Sequence, residues 1–281
     1  MITEHLLGRT EPMSFYENSA YRSGPLSYGK DTEKHRLCAL TGALDPTSMK
    51  VLNAVRIRRG WHCLEIGAGS GTMAQYLLGM VGPGGRVVAT ELDLSLLATA
   101  RDCGVEVVEH DVVRDDFPAR RFDLVHARCV FEHIGGEHRE AALNKVVGWL
   151  KPGGWLVVEA AGLEPEQTDP SSSMVNQAAE IASRYFARVM GSDLHWPRTL
   201  DATFASLGLR EIGLTSNRMI VGKGESTDQV LTLTLRQNEA ELIRLGLLEE
   251  GFIGRLERYL ESAESSEPMS TLYSVWGRVP Q

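Results

Sequence analysis

The sequence predicts an α/β protein built on a doubly wound, mostly parallel sheet of seven strands. From residue 61 onward, short apolar runs rich in β-branched residues alternate with amphipathic helical stretches, the pattern of parallel strands covered on both faces. These runs cover residues 62–66, 86–90, 105–109, 122–127 and 155–160. Glycine- and proline-rich turns at 82–85 and 151–154 end helices directly before two of the strands. Two later runs, 209–216 and 271–276, fit an antiparallel pair that closes one edge of the sheet.

Helices are predicted before the first strand. Asp31 suits the N-cap of one helix, which ends near Gly42. Asp45 and Pro46 suit the start of a second helix, and Gly60 suits its left-handed stop. We assign residues 31–162 to a core that contains these helices and the five parallel strands.

The segments outside this core predict a lid and a cap. Residues 1–30 hold three of the seven tyrosines, Tyr16, Tyr21 and Tyr28, which is too aromatic for a plain disordered arm and indicates an N-terminal lid. Helical patterns at 163–208 and 226–262 predict two insertions that sit together above the carboxyl end of the sheet, the second within a C-terminal segment, 209–281. The leucines between 231 and 248 fit the core of this cap or a dimer contact, with the substrate pocket as the alternative.

Composition narrows the classes of partner. The 29 Lys and Arg residues against 37 Asp and Glu give a net charge of −8, with no dense basic cluster, which speaks against a nucleic acid as the main partner. The start of the chain lacks a basic segment followed by an apolar one, and no apolar run approaches the roughly 18 residues of a membrane span. We therefore expect a cytoplasmic protein with no membrane partner.

The four cysteines predict no metal site. Cys38, Cys63, Cys103 and Cys129 are far apart in the sequence and form no Cys-x-x-Cys pair. We interpret them as small buried apolar residues in a reducing compartment.

The most informative stretch is a glycine-rich turn between the first strand and the helix that follows it. Gly67, Gly69 and Gly71 alternate directly after the apolar strand, and Thr72 begins the helix. Glycines permit a tight turn and a close approach of a ligand to bare backbone, and the helix start offers unpaired N–H groups. A dinucleotide site favours glycine or alanine at position 72, so the threonine departs from that pattern. Taken alone, a turn of this kind also fits a purely structural role.

Acidic residues follow the next two strands. Glu91, after the second strand, can accept hydrogen bonds from both hydroxyls of a ribose, or it is a solvated strand-end acid; Asp93 competes for the ribose role. Asp111 and Val112, after the third strand, can read an adenine edge through an acid and a backbone N–H, or Asp111 is a helix cap. Because the carboxyl ends of parallel strands share one edge of the sheet, we expect these residues to lie together.

In this order, the motifs resemble those of the class I S-adenosylmethionine (SAM)-dependent methyltransferases over about residues 33–162. The resemblance rests on the Glu-x-Gly-x-Gly-x-Gly turn, the two acids, Phe-Asp-Leu-Val at 122–125 and Leu-Lys-Pro-Gly-Gly at 150–154. It implies a Rossmann-like methyltransferase fold and SAM as cofactor, with S-adenosylhomocysteine (SAH) as product. The residues that it places against the cofactor are Glu65, Gly67, Gly69, Gly71, Glu91, Leu92, Asp111, Val112 and Arg128. Glu65 would order the glycine turn and the methionine amino group, Glu91 the ribose, and Arg128 would contact the methionine end.

The segment after the fourth strand departs from the family. Many members have His-His-Ile/Leu-Pro-Asp there, and this chain has Phe-Glu-His-Ile-Gly at 131–135. This segment lies nearest to the transferred methyl, because ligands of open α/β sheets bind beyond the strands' carboxyl ends. Methyl transfer needs a base only where the acceptor must lose a proton. We name Glu132, His133 and Tyr21 as catalytic candidates, although the first two also fit a role in orienting the next helix.

The acceptor is predicted to be a mid-sized apolar or aromatic small molecule enclosed by the cap and lid. The acceptor-site candidates are Tyr16, Tyr28, Asp193, His195 and Trp196; the last three fit an ordinary surface loop equally well. The whole chain is similar to bacterial natural-product methyltransferases, and among them to enzymes that methylate carbon 3 of indoles in tryptophan diketopiperazines and trigger ring closure. The alternatives are O- or N-methylation of another secondary metabolite, a non-catalytic SAM-binding regulator, and a nicotinamide-dependent oxidoreductase. The sequence is also compatible with a homodimer.

Overall fold

A computed structural model describes residues 24–27, 31–165, 171, 173–262 and 266–281. Its centre is a seven-stranded sheet in the order β3-β2-β1-β4-β5-β7-β6. The strands are β1 His62–Ile66, β2 Arg86–Glu91, β3 Glu106–Glu109, β4 Phe122–Arg128, β5 Leu150–Gly162, β6 Arg210–Val221 and β7 Glu267–Arg278. The first five are parallel, and β7 runs antiparallel to both β5 and β6. The predicted doubly wound, mostly parallel fold is confirmed.

The strand order reverses between β1 and β4. From β1 the chain builds outward through β2 to β3 and then crosses back to place β4 on the other side of β1. At such a switch point the loops after the two central strands diverge and leave a crevice at the carboxyl edge of the sheet. The central strands are buried almost throughout, since helices cover both faces, and this accounts for their continuous apolar sequences.

Nine α-helices are described. They are α1 Asp31–Ala54, α2 Thr72–Val81, α3 Ala98–Asp102, α4 Gly136–Trp149, α5 Met174–Met190, α6 Leu200–Ser206, α7 Ser226–Arg236, α8 Glu239–Arg244 and α9 Phe252–Ser262. Short 3₁₀ turns lie at Leu94–Leu96, Phe131–His133 and Trp196–Thr199. None of the helices in the described part of the chain is long and apolar enough to cross a bilayer.

Helix α1 corrects one sequence prediction. Two helices were predicted on either side of Asp45, but one helix runs through with Pro46 in its interior. A proline in a helix interior removes a backbone hydrogen bond and costs about 3 kcal/mol. Leu44 and Leu52 are buried on either side of Pro46, and their packing offsets this cost. Tertiary burial therefore outweighs the local stop signal.

A separate apolar core joins the cap helices to the sheet. Helices α5, α7, α8 and α9 pack with α1 around buried residues that include Phe186, Leu231 and Leu256. The buried leucines of the 231–248 stretch lie in this apolar core, and one of them, Leu231, also lines the cavity described below. Strands β6 and β7 are longer than predicted and extend past the carboxyl end of β5, where Met219 and Met269 enter the same core. Their extension ties the cap to the sheet edge.

The cysteine prediction is partly wrong. Cys63 is buried in β1 and Cys129 is partly buried after β4, but Cys38 and Cys103 are exposed. Cys38 lies on the solvent face of α1 and Cys103 directly follows α3, where the sequence pattern does not reveal which side faces the core. Within the described ranges, no cluster of His, Cys, Asp and Glu is arranged to hold a metal ion.

Candidate active site

A cavity of about 310 Å³ lies at the carboxyl edge of the sheet, below the cap. Its floor is formed by the ends of β1, β2, β4 and β5 and by the loop after β3. Helices α1, α5 and α7 form the opposite wall, which is mainly apolar. One cavity therefore joins the glycine-rich turn to the cap, as a site for two ligands that react with each other requires.

The glycine-rich turn borders this cavity and needs its glycines. Gly67, Gly69 and Gly71 have φ angles of 64°, 54° and 80°, in the left-handed region that other residues rarely adopt. A Cβ atom on Gly67 would lie 2.4 Å from Val130 Cγ2, and one on Gly71 would lie 2.8 Å from the Cβ of Ala100. No side chain caps the start of α2, so its first N–H groups have no side-chain partner among the described residues. The turn is thus a close-fitting cradle with free donors.

Glu91 links this turn to the end of β2. Its Oε2 accepts a hydrogen bond from the Gly69 N–H at 2.9 Å, and its Oε1 accepts one from the Leu92 N–H at 2.9 Å. Asp93 also lines the cavity, but its Oδ1 accepts a hydrogen bond from the Ser95 N–H and caps the 3₁₀ turn. Glu91 is the carboxylate attached to the glycine turn, and Asp93 serves the local turn.

The loop after β3 brings Asp111 and Val112 to the same cavity. Asp111 Oδ1 accepts a hydrogen bond from the Val113 N–H at 2.8 Å, so the acid shapes its own loop. The neighbouring His110 was not predicted from sequence; it also lines the cavity and stacks on Phe117 at 4.5 Å. Burial lowers the pKa of His110, and its Nε2 has no hydrogen-bond partner among the described residues.

Arg128 closes the floor at the end of β4. Its Nη2 lies 2.8 Å from Asp45 Oδ1, and its Nη1 donates a hydrogen bond to Ser48 Oγ at 2.9 Å. Both partners belong to α1, so this arginine fixes the helix that forms the opposite wall. Glu65, almost fully buried in β1, also borders the cavity.

The described residues fit the cofactor that the sequence predicts. One end of the cavity is lined by Leu92, Asp111 and Val112, which offer both apolar and polar groups. Glu91 lies in the middle, and the other end is lined by Glu65 and Arg128. An adenine, a ribose and a charged amino-acid tail follow each other in the same order in SAM. Gly67 and Gly69 border the cavity with positive φ angles and bare backbone, and this is the observation that supports the fit.

Glu132 is a buried acid on the cavity wall. Its Oε1 accepts a hydrogen bond from the Ala161 N–H at 2.9 Å, and its Oε2 has no hydrogen-bond partner within the described chain. Burial raises the pKa of Glu132 to about 7, against the opposing effect of the Ala161 hydrogen bond. A carboxyl with this pKa exchanges protons near neutral pH, as a general base must.

His133 lies beside Glu132 in the sequence, but its pKa is shifted in the opposite direction. Its Nδ1 is 3.0 Å from Ser192 Oγ, and its ring meets Phe186 edge to face at 5.6 Å. Burial lowers the pKa of His133 to about 4, and the positive charges of Arg36 and Arg139 lower it further. The imidazole is therefore neutral at neutral pH and can accept a proton only weakly.

The acceptor half of the cavity contains a charge pair that sequence reasoning missed. Arg36 and Glu33 on α1 are both buried, with Arg36 Nε and Nη2 donating to the two oxygens of Glu33 at 2.9 and 2.7 Å. Gln237 Nε2 also donates to Glu33 Oε2 at 2.8 Å. The i,i+3 spacing is the only sequence signal for this pair, and it does not distinguish a buried pair from a solvent-exposed one.

Asp193, His195 and Trp196, predicted to contact the acceptor, do not line the cavity. Asp193 Oδ1 accepts hydrogen bonds from the N–H groups of His195 and Trp196, and the Trp196 ring packs under the Arg139 guanidinium at 4.4 Å. Only the intervening Leu194 faces the cavity. The side chains stabilise a local turn. Tyr16, Tyr21 and Tyr28 lie outside the described residues.

Comparisons with known proteins match the part of the chain that forms the sheet. The family model described as a methyltransferase domain matches residues 64–156. The ubiquinone/menaquinone biosynthesis C-methyltransferase UbiE of Pseudomonas savastanoi pv. phaseolicola is 30% identical over 143 residues, which cover 48% of this chain and 53% of that protein. The chain thus spans about half the length of the curated relatives that it matches.

Solved structures share the fold. The YcgJ protein from Bacillus subtilis has a TM-score of 0.54 at 14% identity, over 84% of this chain and 99% of that one. Phosphoethanolamine N-methyltransferase 2 of Haemonchus contortus, in complex with SAM, has a TM-score of 0.50 at 16% identity, over 96% of this chain and 59% of that one. The domain match and the curated relatives support the predicted SAM-dependent methyltransferase and its cofactor; the solved structures support the fold.

Proposed function

We propose that this protein methylates an apolar or aromatic small molecule, at carbon, with SAM as the methyl donor. The observation that carries the proposal is the single cavity in which the glycine cradle and the apolar cap meet at Glu132. Apolar side chains from α1, α5 and α7 form the cap wall, including Leu40, Phe186 and Leu231. Such a surface favours an acceptor that loses apolar area to water when it is enclosed.

The chemistry assigns separate tasks to the two halves of the cavity. When bound, SAM supplies an activated methyl group on a sulfonium. The glycine cradle and Glu91 would fix the donor, and the cap would align the acceptor and exclude water, which is where most of the rate enhancement of such a displacement arises. The acceptor forms its new bond to the methyl carbon, the carbon–sulfur bond breaks, and Glu132 takes up a proton that the acceptor releases.

Two features favour carbon over oxygen or nitrogen. The curated relatives named above are C-methyltransferases, which supports carbon as the acceptor atom here. A buried base with a raised pKa also suits an acceptor whose carbon becomes nucleophilic as a nearby N–H or O–H is deprotonated. The narrowest candidate is indole carbon 3 of a tryptophan-derived cyclic dipeptide in natural-product biosynthesis, where loss of the indole N–H proton would assist attack and ring closure follows.

The test is turnover with methyl-labelled SAM. The purified protein is incubated with tryptophan cyclic dipeptides, simple indoles, phenols, quinols and amines, and products are separated by mass spectrometry and assigned by carbon NMR. We expect a label on carbon of an aromatic acceptor, and loss of this product in Glu132→Gln. A label on oxygen or nitrogen would contradict the assignment to carbon. SAM binding without any labelled product would indicate a regulatory SAM-binding protein instead.

A further inference from the structure

A buried histidine lies between two glutamates beneath the glycine turn. His126, in the middle of β4, is fully buried, and its Nδ1 lies 2.7 Å from Glu65 Oε2 on β1. Its Nε2 lies 3.1 Å from Glu159 Oε2 on β5, and the other oxygen of Glu159 accepts a hydrogen bond from Ser274 Oγ on β7 at 2.5 Å. Residues from four adjacent strands thus form one polar cluster inside the sheet's core.

The geometry, with one carboxylate at each ring nitrogen, favours a charged ring. A neutral imidazole has one N–H and can donate to one carboxylate, whereas an imidazolium donates from both nitrogens. Burial lowers the pKa of His126, but the charge of Glu65 and hydrogen bonds with both glutamates outweigh it and raise the value to about 9. Burial likewise opposes the ionisation of Glu159, yet its hydrogen bond with His126 and the charge of that ring hold its pKa below the usual value. Two carboxylates and one imidazolium leave one uncompensated negative charge.

The groups that surround the cluster in the described part of the chain do not cancel this charge. Ser274 and Ser48 are neutral donors to Glu159, and the nearest cation of β4, Arg128, is already paired with Asp45. Among the cluster's members, Glu65 is the one that borders the cavity, just below Gly67. A cation in the cavity at this point would complete the charge balance.

We propose that His126 is a positioning residue that, acting through Glu65, creates the subsite for the α-ammonium group of the cofactor's amino-acid tail. The inference rests on the proposed function, because it requires that SAM or SAH occupies the cradle. The imidazolium holds Glu65 as an oriented carboxylate facing the cavity. Without it, Glu65 and Glu159 would face each other across a buried gap, and one of them would take up a proton rather than remain charged.

The decisive experiment compares two ligands by calorimetry at pH 7.5. SAH carries the amino-acid tail, and 5′-methylthioadenosine shares its adenosine and sulfur but lacks that tail. We expect His126→Asn to weaken SAH binding at least about tenfold, which corresponds to about 1.4 kcal/mol, and to change methylthioadenosine binding less than about twofold. Loss of both ligands in equal measure would indicate general damage to the cradle and would overturn the inference.

Two further variants separate charge from packing. In His126→Asn/Glu159→Gln the second carboxylate is removed, so Glu65 can stay ionised, and we expect SAH affinity to recover in part. If SAH affinity did not recover in this double variant, the electrostatic argument would be contradicted. His62→Asn is the matched control: His62 begins β1 at the opposite edge of the sheet and does not border the cavity, so both ligands should bind as to the unmodified protein.

The protonation state is also observable without any variant. Among the eight histidines of the chain, ¹⁵N shifts at pH 8 should show one imidazolium with both nitrogens protonated. A spectrum with only neutral rings at this pH would overturn the inference even if His126→Asn did not fold. If the unmodified protein bound no SAH, the proposed function itself would fail; if it bound SAH and His126→Asn bound it equally well, only this inference would fail.

Discussion

Replacing Glu132 by glutamine should make the protein less active and, at alkaline pH, more stable. The substitution keeps an oxygen that can accept the Ala161 N–H hydrogen bond but removes the charge. If Glu132 is the base, turnover of an acceptor that must lose a proton should fall by about 10²- to 10⁴-fold. Stability should rise because burial of the Glu132 carboxylate costs free energy that its hydrogen bonds, including that from the Ala161 N–H, offset only in part.

The magnitude follows from the raised pKa. Below pH 4.5 the Glu132 carboxyl is protonated in both the folded and the unfolded chain and contributes no pH dependence. Between pH 4.5 and about 7 the unfolded chain releases this proton and the folded protein retains it, so the free energy of unfolding falls as pH rises. Above pH 7 the full penalty applies. With about 1.4 kcal/mol for each pH unit between the two pKa values, this penalty amounts to about 3 kcal/mol.

Urea denaturation at about pH 5 and pH 8.5 measures this effect. The free energy of unfolding of Glu132→Gln, relative to the unmodified protein, should be higher at the alkaline pH than at the acidic pH by about 2 to 3 kcal/mol. Glu140→Gln, an exposed acid on α4, is the control and should change stability by less than about 0.5 kcal/mol at either pH. A difference for Glu132→Gln that is the same at both pH values would refute the reasoning.

Three further substitutions test the cavity. Glu91→Ala should weaken SAM binding at least about tenfold, near 1.4 kcal/mol, by calorimetry, and an unchanged dissociation constant would exclude its cofactor role. Gly67→Ala should weaken SAM binding still more, because its Cβ would clash with Val130 and its φ is positive. Adding Val130→Ala should remove the clash but not the backbone strain, and so restore only part of the SAM affinity. Trp196→Ala should lower Tm yet leave the acceptor KM within about twofold, since the ring packs on Arg139 outside the cavity; a large KM change would reinstate the predicted acceptor contact.

The cofactor half of the cavity could be predicted from sequence because each of its parts is local. A glycine turn between a strand and a helix, and acids directly after strands, are visible as short motifs. Parallel topology then brings the ends of those strands to one edge without further information. Glu91 and Asp111, though 20 residues apart in the sequence, therefore reach the same cavity.

The acceptor half could not be predicted in this way, because it depends on which way side chains of distant segments turn. In the loop after α5, the Asp193 N–H donates to the Glu132 carbonyl at 2.8 Å, and the Leu163 N–H donates to the Leu194 carbonyl at 2.8 Å. These two backbone hydrogen bonds fix the loop so that Leu194 faces the cavity and its polar and aromatic neighbours do not. Composition indicated an aromatic loop but carried no information about this direction.

The polar cluster around His126 is a second feature that could not be predicted from the sequence. The histidine and the two glutamates each stand between apolar residues of their own strand. Each therefore looks, in the sequence, like an isolated polar residue in a buried strand. Their meaning arises only from the register that places Glu65 opposite His126 across β1 and β4, and His126 opposite Val157, two residues before Glu159, on β5. No spacing within one segment encodes that alignment.

Two of the buried acids that border the cavity, Glu65 and Glu132, differ because their partners differ. Glu65 lies 2.7 Å from the ring of His126, and in the proposed cluster the second carboxylate, Glu159, leaves one negative charge that would attract a cation from the cavity. Glu132 has the Ala161 N–H at Oε1 and no hydrogen-bond partner for Oε2 within the described chain, so burial raises its pKa to about 7 and prepares it to accept a proton. Under the two proposals, one residue type would provide a binding charge at the donor end and a base at the acceptor end. Exchanging these environments should abolish both roles: a cation beside Glu132 would lower its basicity, and loss of the cation beside Glu65 would remove its attraction for the cofactor.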